Sequence, residues 1–274
     1  MAHADSLEGS IRKNQYRIIK ETNMLETFSK TDVGKKRTVN QDYIFVSNSQ
    51  IGNLPNLLLL ADGMGGEKAG DYASKFAVES IKNEVVVGTQ ETTVKLLTSA
   101  ISYANEQLYQ KSENEFDFRG MGTTLVAATC YNNQLIVANV GDSRLYLVRN
   151  DVMVQVTKDH SFAEEIANMA NVVLSEEAIK QNKNYITRAV GAEEKVKIDF
   201  FQVEIKEDDM ILLCSDGLTN MLTDEEILLI VYGEKDLELI CEALIKKAND
   251  RGGKDNISVI IACPLDKKEE EYHD

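Results

Sequence analysis

Five aspartates in this sequence stand at the borders of apolar segments, where side chains of a folded chain can meet. Asp62 follows the run LLLLA, and Asp216 follows DMILLCS in the same manner. Asp142 lies in the turn of VANVGDSRLYL, Asp255 precedes NISVIIA, and Asp42 leads into YIFV. One Asp-Gly pair after a strand usually means only a turn, because both residues tolerate turn geometry. Five acidic residues in such positions indicate a shared role.

Antiparallel strands would bring these carboxylates together, because the end of one strand then lies beside the start of the next. Unpaired carboxylates in one place repel each other strongly unless a cation binds among them. Ligand sets made only of oxygen favour Mg²⁺ and Mn²⁺. The sequence therefore predicts a divalent cation site. Such a cation would also give a chain of net charge −15 the positive centre that an anionic substrate requires.

The glycine-rich stretch GMGGEKAG suggests a nucleotide-binding loop at first, but its spacing does not fit one. Lys68 takes the place of the third glycine in G-x-G-x-x-G, and residues 67–69 lack the Gly-Lys-Ser/Thr end of a Walker loop. We interpret Gly65, Gly66 and Gly70 as residues that allow close backbone packing and the start of a helix.

The number and position of the histidines limit which metal centres and catalytic mechanisms the chain can support. The chain has three, and His3 and His273 lie in the terminal segments, which argues against a His-rich zinc or iron site. A Ser-His-Asp mechanism would need His160, and no G-x-S-x-G segment supplies its serine. We therefore interpret His160 as a structural residue.

Length and composition favour a globular chain in a reducing compartment. The 274 residues are 43% hydrophobic and 27% charged, which allows a sizeable core. Four cysteines lie far apart, which predicts buried thiols and a cytoplasmic location. The acidic charge argues against nucleic-acid or membrane partners, and no apolar run approaches the roughly 20 residues of a membrane span.

Strand and helix patterns follow one another irregularly along the chain. The predicted strands are DYIFVS, LLLLA, TTLVAATCY, QLIVANVGDSRLYLVRN, VKIDFFQVEI, DMILLCS and NISVIIA. The predicted helices are Ala69–Val87, Thr92–Lys111, TDEEILLIVYG with Thr223 and Glu226 at capping-box spacing, and Leu237–Ala248. This order lacks the regular alternation of a doubly wound sheet. It favours an α+β fold with mostly antiparallel sheets and helices outside.

The remaining segments define the predicted domain organisation. We predict a single domain over residues 24–265, preceded by a polar leader or added arm at residues 1–23. Residues 266–274 form a charged tail. We interpret the polar, Asn-rich segment at residues 160–185 as an insertion that lies over a surface, and a functional site is one candidate for that surface.

Six segments spread over nearly the whole chain resemble, in the correct order, the metal-dependent Ser/Thr protein phosphatases of the PP2C type, especially their compact bacterial members. They are DVGKKRTVNQDY, LLLADGMGGEKAGDYAS, GMGTTLVAA, VANVGDSRLYL, LLCSDGLTNML and GGKDNISVI. One such segment would be weak evidence, but six in order are specific. The resemblance implies a central antiparallel β-sandwich flanked by pairs of helices. It also implies a metal cluster at one end of the sandwich and a flap at about residues 160–185.

The resemblance also implies how the aspartates bind Mn²⁺ or Mg²⁺. Asp62 would bridge two ions, and the backbone carbonyl of Gly63 would bind one of them. Asp216 and Asp255 would bind the first ion, while Asp42 would act mainly through bound water.

Two further residues match positions of the family. Asp142 matches a residue that, together with Asp216, holds a third ion in bacterial relatives. Arg37 matches the arginine that binds the substrate phosphate, and its planar guanidinium can donate two parallel hydrogen bonds to phosphoryl oxygens.

The chain departs from many relatives at two positions. Met64 stands where eukaryotic members have a histidine that is thought to protonate the leaving oxygen, and a thioether has no proton to donate. Gln41 replaces a glutamate before Asp42, which removes one negative charge. The general acid therefore has no assigned residue, and a water on the third ion is one candidate.

Together these features predict an enzyme that hydrolyses phosphoserine and phosphothreonine on proteins. Two cations about 3.5–4 Å apart can lower the pKa of a bridging water, and the hydroxide would attack phosphorus without a protein nucleophile. We expect a monomer that opposes a bacterial Ser/Thr kinase. Two alternatives are a pseudophosphatase that binds without turnover, which the retained carboxylates oppose, and another two-metal hydrolase such as a phosphodiesterase. The lack of a basic groove argues against nucleic-acid substrates.

Overall fold

The computed structural model describes residues 25–167 and 185–264 of the chain. The predicted leader at residues 1–23, most of the predicted flap and the predicted tail at residues 266–274 lie outside the described residues. The strands are β1 (Leu25–Asp32), β2 (Asp42–Ser47), β3 (Leu57–Met64), β4 (Gly122–Thr123), β5 (Leu125–Tyr131), β6 (Gln134–Val140), β7 (Arg144–Arg149), β8 (Val152–Gln155), β9 (Asp199–Glu204), β10 (Met210–Cys214) and β11 (Ile257–Pro264).

The helices fall into two pairs and two short pieces. They are α1 (Glu67–Val87), α2 (Thr93–Asn114), α3 (Phe162–Ala167), α4 (Asp216–Thr219), α5 (Asp224–Gly233) and α6 (Leu237–Asp250), with a 3₁₀ turn at Phe116–Phe118. None of the helices in the described part of the chain is long and apolar enough to span a membrane.

The strands form two antiparallel sheets that pack face to face. The first has the order β1-β11-β10-β7-β8, and the second has the order β2-β3-β5-β6-β9, with β4 paired to the end of β3. Leu58 and Leu60 of β3 pack against Leu145, Leu213 and Ile260 of the first sheet in one buried cluster. The sandwich core therefore lies between the sheets.

Helices cover both outer faces of this sandwich. Leu57 and Leu59 of β3 point away from the first sheet and share a buried cluster with residues of α1 and α2. On the opposite side, α5 and α6 pack on β10 and β11. The run LLLLA is continuously apolar because β3 is buried on both faces.

The structure confirms the predicted fold class and corrects several element boundaries. β1 and β8 were not predicted, because LETFSKTD and VMVQ are short, largely polar or half-exposed edge strands. β3 continues to Met64, so Asp62 lies inside a strand and not in a turn after it. Asp216 begins α4 and is likewise not a turn residue. A break at Thr124 divides the single strand predicted for TTLVAATCY.

The predicted helix signals hold locally. The capping box at the start of α5 is present: the Thr223 hydroxyl accepts from the Glu226 N–H, and the Glu226 carboxylate accepts from the Thr223 N–H.

All four cysteines are free thiols, and Cys130, Cys214 and Cys241 are buried. Burial raises the pKa of the Cys130 thiol to about 12, so this thiol is inert at neutral pH.

Candidate active site

The five aspartates come together at one end of the sandwich. Asp42 and Asp62 are directly opposite one another in the register of β2 and β3. Asp216 follows β10, Asp255 precedes β11, and Asp142 lies in the turn between β6 and β7. The charge of Asp62 interacts with those of all four other aspartates. The structure thus brings together aspartates from both sheets. This agrees with the prediction that antiparallel strands would place these carboxylates side by side.

Burial and mutual repulsion raise the pKa values of these carboxyl groups. The pKa of Asp42 is raised to about 7, first by burial and then by the charges of Asp216 and Asp255. Burial, followed by the charge of Asp216, raises the pKa of Asp142 to about 7. The pKa of Asp216 is raised to about 6 by burial and by Asp255, and that of Asp62 lies well above its usual range.

Three carboxylate oxygens in this group are buried and accept no hydrogen bond from any described residue. They are the Oδ1 atoms of Asp42, Asp142 and Asp216. Their Oδ2 partners are in part satisfied: Ser215 Oγ donates to Asp42 at 2.8 Å and Asn220 Nδ2 donates to Asp216 at 2.8 Å. Buried acceptors without donors are costly unless a cation or ordered water binds them.

The donor set therefore fits divalent cations with oxygen ligands. Within residues 25–167 and 185–264, however, no three His, Cys, Asp or Glu side chains are grouped so that they could hold a cation by themselves. A backbone carbonyl and water ligands would have to complete the coordination, which is how Gly63 and Asp42 were predicted to act.

Arg37 lies at the exposed edge of the aspartate group. Its Nη2 donates to Asp255 Oδ2 at 2.9 Å, and the side chains of Arg37 and Asp255 are 48% and 33% exposed. The guanidinium is therefore beside the carboxylates and open to solvent, where an incoming anion can reach it.

Gly65 and Gly70 are closely packed, as predicted, whereas Gly66 has open space at its Cβ position and lies at the start of α1. A Cβ atom on Gly63 would lie 1.9 Å from the carbonyl oxygen of Gly70, and a Cβ on Gly70 would lie 1.9 Å from Nε2 of Gln41. The Gln41 amide donates to the carbonyl of Gly66 at 2.8 Å. An ionised glutamate at position 41 could not donate this hydrogen bond, because a carboxylate only accepts.

Hydroxyl side chains hold the backbone of Asp62. Thr124 Oγ1 accepts from the N–H of Asp62 at 2.9 Å, and Thr123 Oγ1 donates to its carbonyl at 2.9 Å. Thr124 also shares a hydrogen bond of 2.7 Å with Ser143 Oγ. The sequence predicted a strand that begins here, TTLVAATCY, but not these bonds, nor the role of Ser215. The sequence did offer one signal for Ser215 and Ser143: each is a polar residue directly beside a predicted cation ligand.

His160 and Arg188 belong to a structural cluster beside the site. His160 Nδ1 accepts from the N–H of Gly141 at 3.0 Å, and its Nε2 lies 3.2 Å from Asp199 Oδ2. Arg188 Nη1 donates to Asp199 Oδ1 at 3.1 Å. Burial lowers the pKa of His160, so the ring is neutral and donates from Nε2. This geometry agrees with the structural interpretation of His160.

We expect the chelated protein to be more stable at pH 5.5 than at pH 8. The pKa values of Asp42 and Asp142, raised from 3.8 to about 7, let the folded state hold protons that the unfolded state releases. The free energy of unfolding then falls as pH rises between these two pKa values, by about 1.4 kcal/mol per pH unit for each proton that the folded state retains. His160, with a lowered pKa, opposes this trend, but it is one group against several.

Urea unfolding with a chelator at the two pH values tests this expectation. In excess Mn²⁺ the order should reverse, because cation binding requires ionised carboxylates. A chelated protein that is more stable at pH 8 than at pH 5.5 would contradict the prediction.

Comparison with known proteins places this fold and site in one family. A profile described as protein phosphatase 2C matches residues 33–257, and the chain belongs to this family. Its members are metal-dependent protein phosphatases. The chain is 39% identical over 236 residues to "Serine/threonine phosphatase stp" of Listeria innocua, covering 85% of this chain and 93% of that protein.

Two further relatives agree with this assignment. The identity with "Protein phosphatase PhpP" of Streptococcus pneumoniae is 38% over 235 residues, covering 84% of this chain and 94% of that protein. The solved serine/threonine phosphatase of S. agalactiae superposes with a TM-score of 0.80 at 32% identity, covering 88% of this chain and 100% of that one. The family predicted from the six sequence segments is confirmed.

Proposed function

We propose that this chain is a protein phosphatase that hydrolyses phosphoserine and phosphothreonine on proteins with Mn²⁺ or Mg²⁺. The observation that carries the proposal is the group of buried carboxylate oxygens without donors beside an exposed guanidinium. In a member of the protein phosphatase 2C family, this arrangement supplies both a cation site and a phosphate-binding group.

The cation ligands follow from the same group. Asp62 and the carbonyl of Gly63 would hold the ions together with Asp216 and Asp255, while Asp42 would act through water. Asp142 would hold a third ion with Asp216. When bound, the cations would neutralise charge on the phosphoryl oxygens and lower the pKa of coordinated water.

The side chains perform the remaining tasks. Arg37 would leave Asp255 and donate two hydrogen bonds to the phosphoryl group, which orients phosphorus toward the aspartates. The hydroxyls of Thr123 and Thr124 would keep the backbone of Asp62 fixed during the reaction. Met64 has no proton to give, so a side chain at that position does not protonate the leaving oxygen.

The biological setting follows from this activity. We propose that the enzyme is a cytoplasmic monomer that reverses the action of a bacterial Ser/Thr kinase on shared protein substrates. The relatives named as phosphatases in Listeria and Streptococcus support a bacterial setting.

The proposal predicts metal-dependent release of phosphate from a phosphothreonine peptide. Purified protein with Mn²⁺ should release phosphate, and a chelator should abolish the release, because the carboxylates alone repel the phosphate. A phosphotyrosine peptide and a phosphodiester should be poor substrates. Tight peptide binding without turnover would instead indicate a pseudophosphatase, and preferred cleavage of the diester would indicate a phosphodiesterase.

A further inference from the structure

Asn256 is a buried amide beside the site whose bonds reach two other segments of the chain. It directly follows Asp255 and is 3% exposed. Its Nδ2 donates to the carbonyls of Val33 at 2.9 Å and Val39 at 3.0 Å, and its Oδ1 accepts from the N–H of Gln41 at 2.9 Å. Both amide protons and the amide oxygen are therefore in use, as a buried amide requires.

These three bonds fix the Arg37 loop, which we define as residues 33–41. Arg37 lies between the two carbonyls that bind the Asn256 amide, so this one group holds the loop on both sides of the guanidinium. The backbone N–H of Asn256 donates to Asp255 Oδ1 at 2.9 Å, while Arg37 donates to Asp255 Oδ2. The distance between Arg37 and Asp255 thus depends on Asn256.

Gln41 extends this connection to the end of β3. Its carbonyl accepts from the N–H of Gly63 at 3.0 Å, and its side-chain amide donates to the carbonyl of Gly66 at 2.8 Å. Since Asn256 binds the N–H of Gln41, it is two hydrogen bonds away from Gly63, which follows Asp62.

We propose that Asn256 is a positioning residue that sets the spacing between Arg37, Asp255 and the Asp62–Gly63 end of β3. Without its amide, the Arg37 loop can move relative to both carboxylates. Binding of phosphate and binding of cations then weaken together, because they depend on the same spacing. The inference rests on the proposed function, since it uses the roles assigned there to Arg37 and the aspartates.

Asn105 offers a matched control. It is 2% exposed, its Oδ1 accepts from the N–H of Gly191 at 2.7 Å, and its Nδ2 donates to the carbonyls of Glu193 and Glu194 at 3.0 and 3.1 Å. Asn105 therefore matches Asn256 in burial and in its pattern of three hydrogen bonds, two donated by Nδ2 and one accepted by Oδ1. The loop that it holds contains none of the residues assigned to the site. Val190, which precedes this loop, pairs with Thr123 through backbone bonds that the Asn105 side chain does not form.

The test compares Asn256→Ala with Asn105→Ala in the full chain. Three quantities are measured: the urea midpoint of unfolding, and the dissociation constants of Mn²⁺ and of inorganic phosphate by calorimetry. We expect both variants to lose similar stability. Asn256→Ala should raise the Mn²⁺ and phosphate constants by about tenfold, in line with the usual cost of losing an outer partner of a metal site. Asn105→Ala should leave both constants unchanged.

A double variant adds a readout that a merely structural role would not change. In an Arg37→Ala background with saturating Mn²⁺, Asn256→Ala should have no further effect on phosphate binding, because Arg37 is the group it positions. Equal changes at positions 105 and 256, or a loss of kcat with both binding constants unchanged, would overturn the proposal.

A milder pair, Asn256→Ser and Asn105→Ser, covers the case in which the alanine variant does not fold. If both Asn256 variants fail to fold while both Asn105 variants fold, Asn256 is a folding residue and the inference is wrong. If the wild type binds Mn²⁺ and phosphate but hydrolyses no phosphopeptide, the proposed function fails. The positioning of the two binding sites by Asn256 would still stand or fall on the binding constants.

Discussion

Asp62→Asn and Asp216→Asn are each expected to reduce phosphate release from a phosphothreonine peptide by at least about 10²-fold at fixed Mn²⁺. Loss of an outer partner of a metal site already costs roughly 10–100-fold, so loss of a ligand should cost more. Both side chains lie where several carboxylates repel one another, and neither has another assigned task. The expected cause is therefore weaker cation binding.

Thermal unfolding separates this cause from a folding defect. Each Asn variant removes one of several mutually repelling charges, so the chelated variant should melt at a higher temperature than the chelated wild type. The rise in melting temperature on adding Mn²⁺ should be much smaller in the variants. Asp208→Asn, at an exposed position before β10, loses the same charge and should match the wild type in both respects. Full activity of Asp62→Asn and Asp216→Asn would contradict the assigned roles.

Arg37→Ala is expected to lower kcat/KM for the same peptide by about 10²-fold. Two charge-assisted hydrogen bonds to phosphate contribute on the order of 3 kcal/mol, and 1.4 kcal/mol corresponds to a factor of ten. Arg37→Lys should recover only part of the loss, because an ammonium group cannot donate two parallel bonds. Mn²⁺ should bind no more weakly, since the variant frees Asp255 from its ion pair.

Arg251→Ala provides the control for this prediction. Arg251 is also half-exposed and forms an ion pair with Glu226, so its loss changes the net charge equally. Its peptide kinetics should equal those of the wild type. Weaker Mn²⁺ binding in Arg37→Ala, with peptide kinetics otherwise unchanged, would mean that Arg37 supports the cation site and not the substrate.

The parts of the fold that the sequence predicted are those with strong local patterns. The fully apolar β3 and the capping box at Thr223 needed no knowledge of their neighbours. β1 and β8 were missed because their residues are only partly buried, and each becomes a strand through pairing with β11 or β7. Residue pattern alone does not contain that information.

The candidate site likewise has a part that the sequence predicted and a part that it did not. The aspartates were predictable because a carboxylate at the border of an apolar strand is conspicuous, and five of them suggested a cation. The partners of the groups that fix the ligands were not predictable, since Ser215 and Asn256 are common polar residues whose partners are distant in sequence. The hydrogen bond from the amide of Gln41 to the carbonyl of Gly66 was likewise not predictable from the sequence.

The pairing of β1 with β11 has a consequence for how the enzyme is made. Leu25 lies opposite Pro264, so the first and last strands of the described fold are direct neighbours. Such distant pairing closes late in folding, because a long loop must be ordered first. Asp255 reaches the other carboxylates only with β11, so a nascent chain on the ribosome lacks both a closed first sheet and a complete set of acidic groups. With Asp255 as the proposed cation ligand, synthesis of the final strand would couple completion of the fold to the onset of activity.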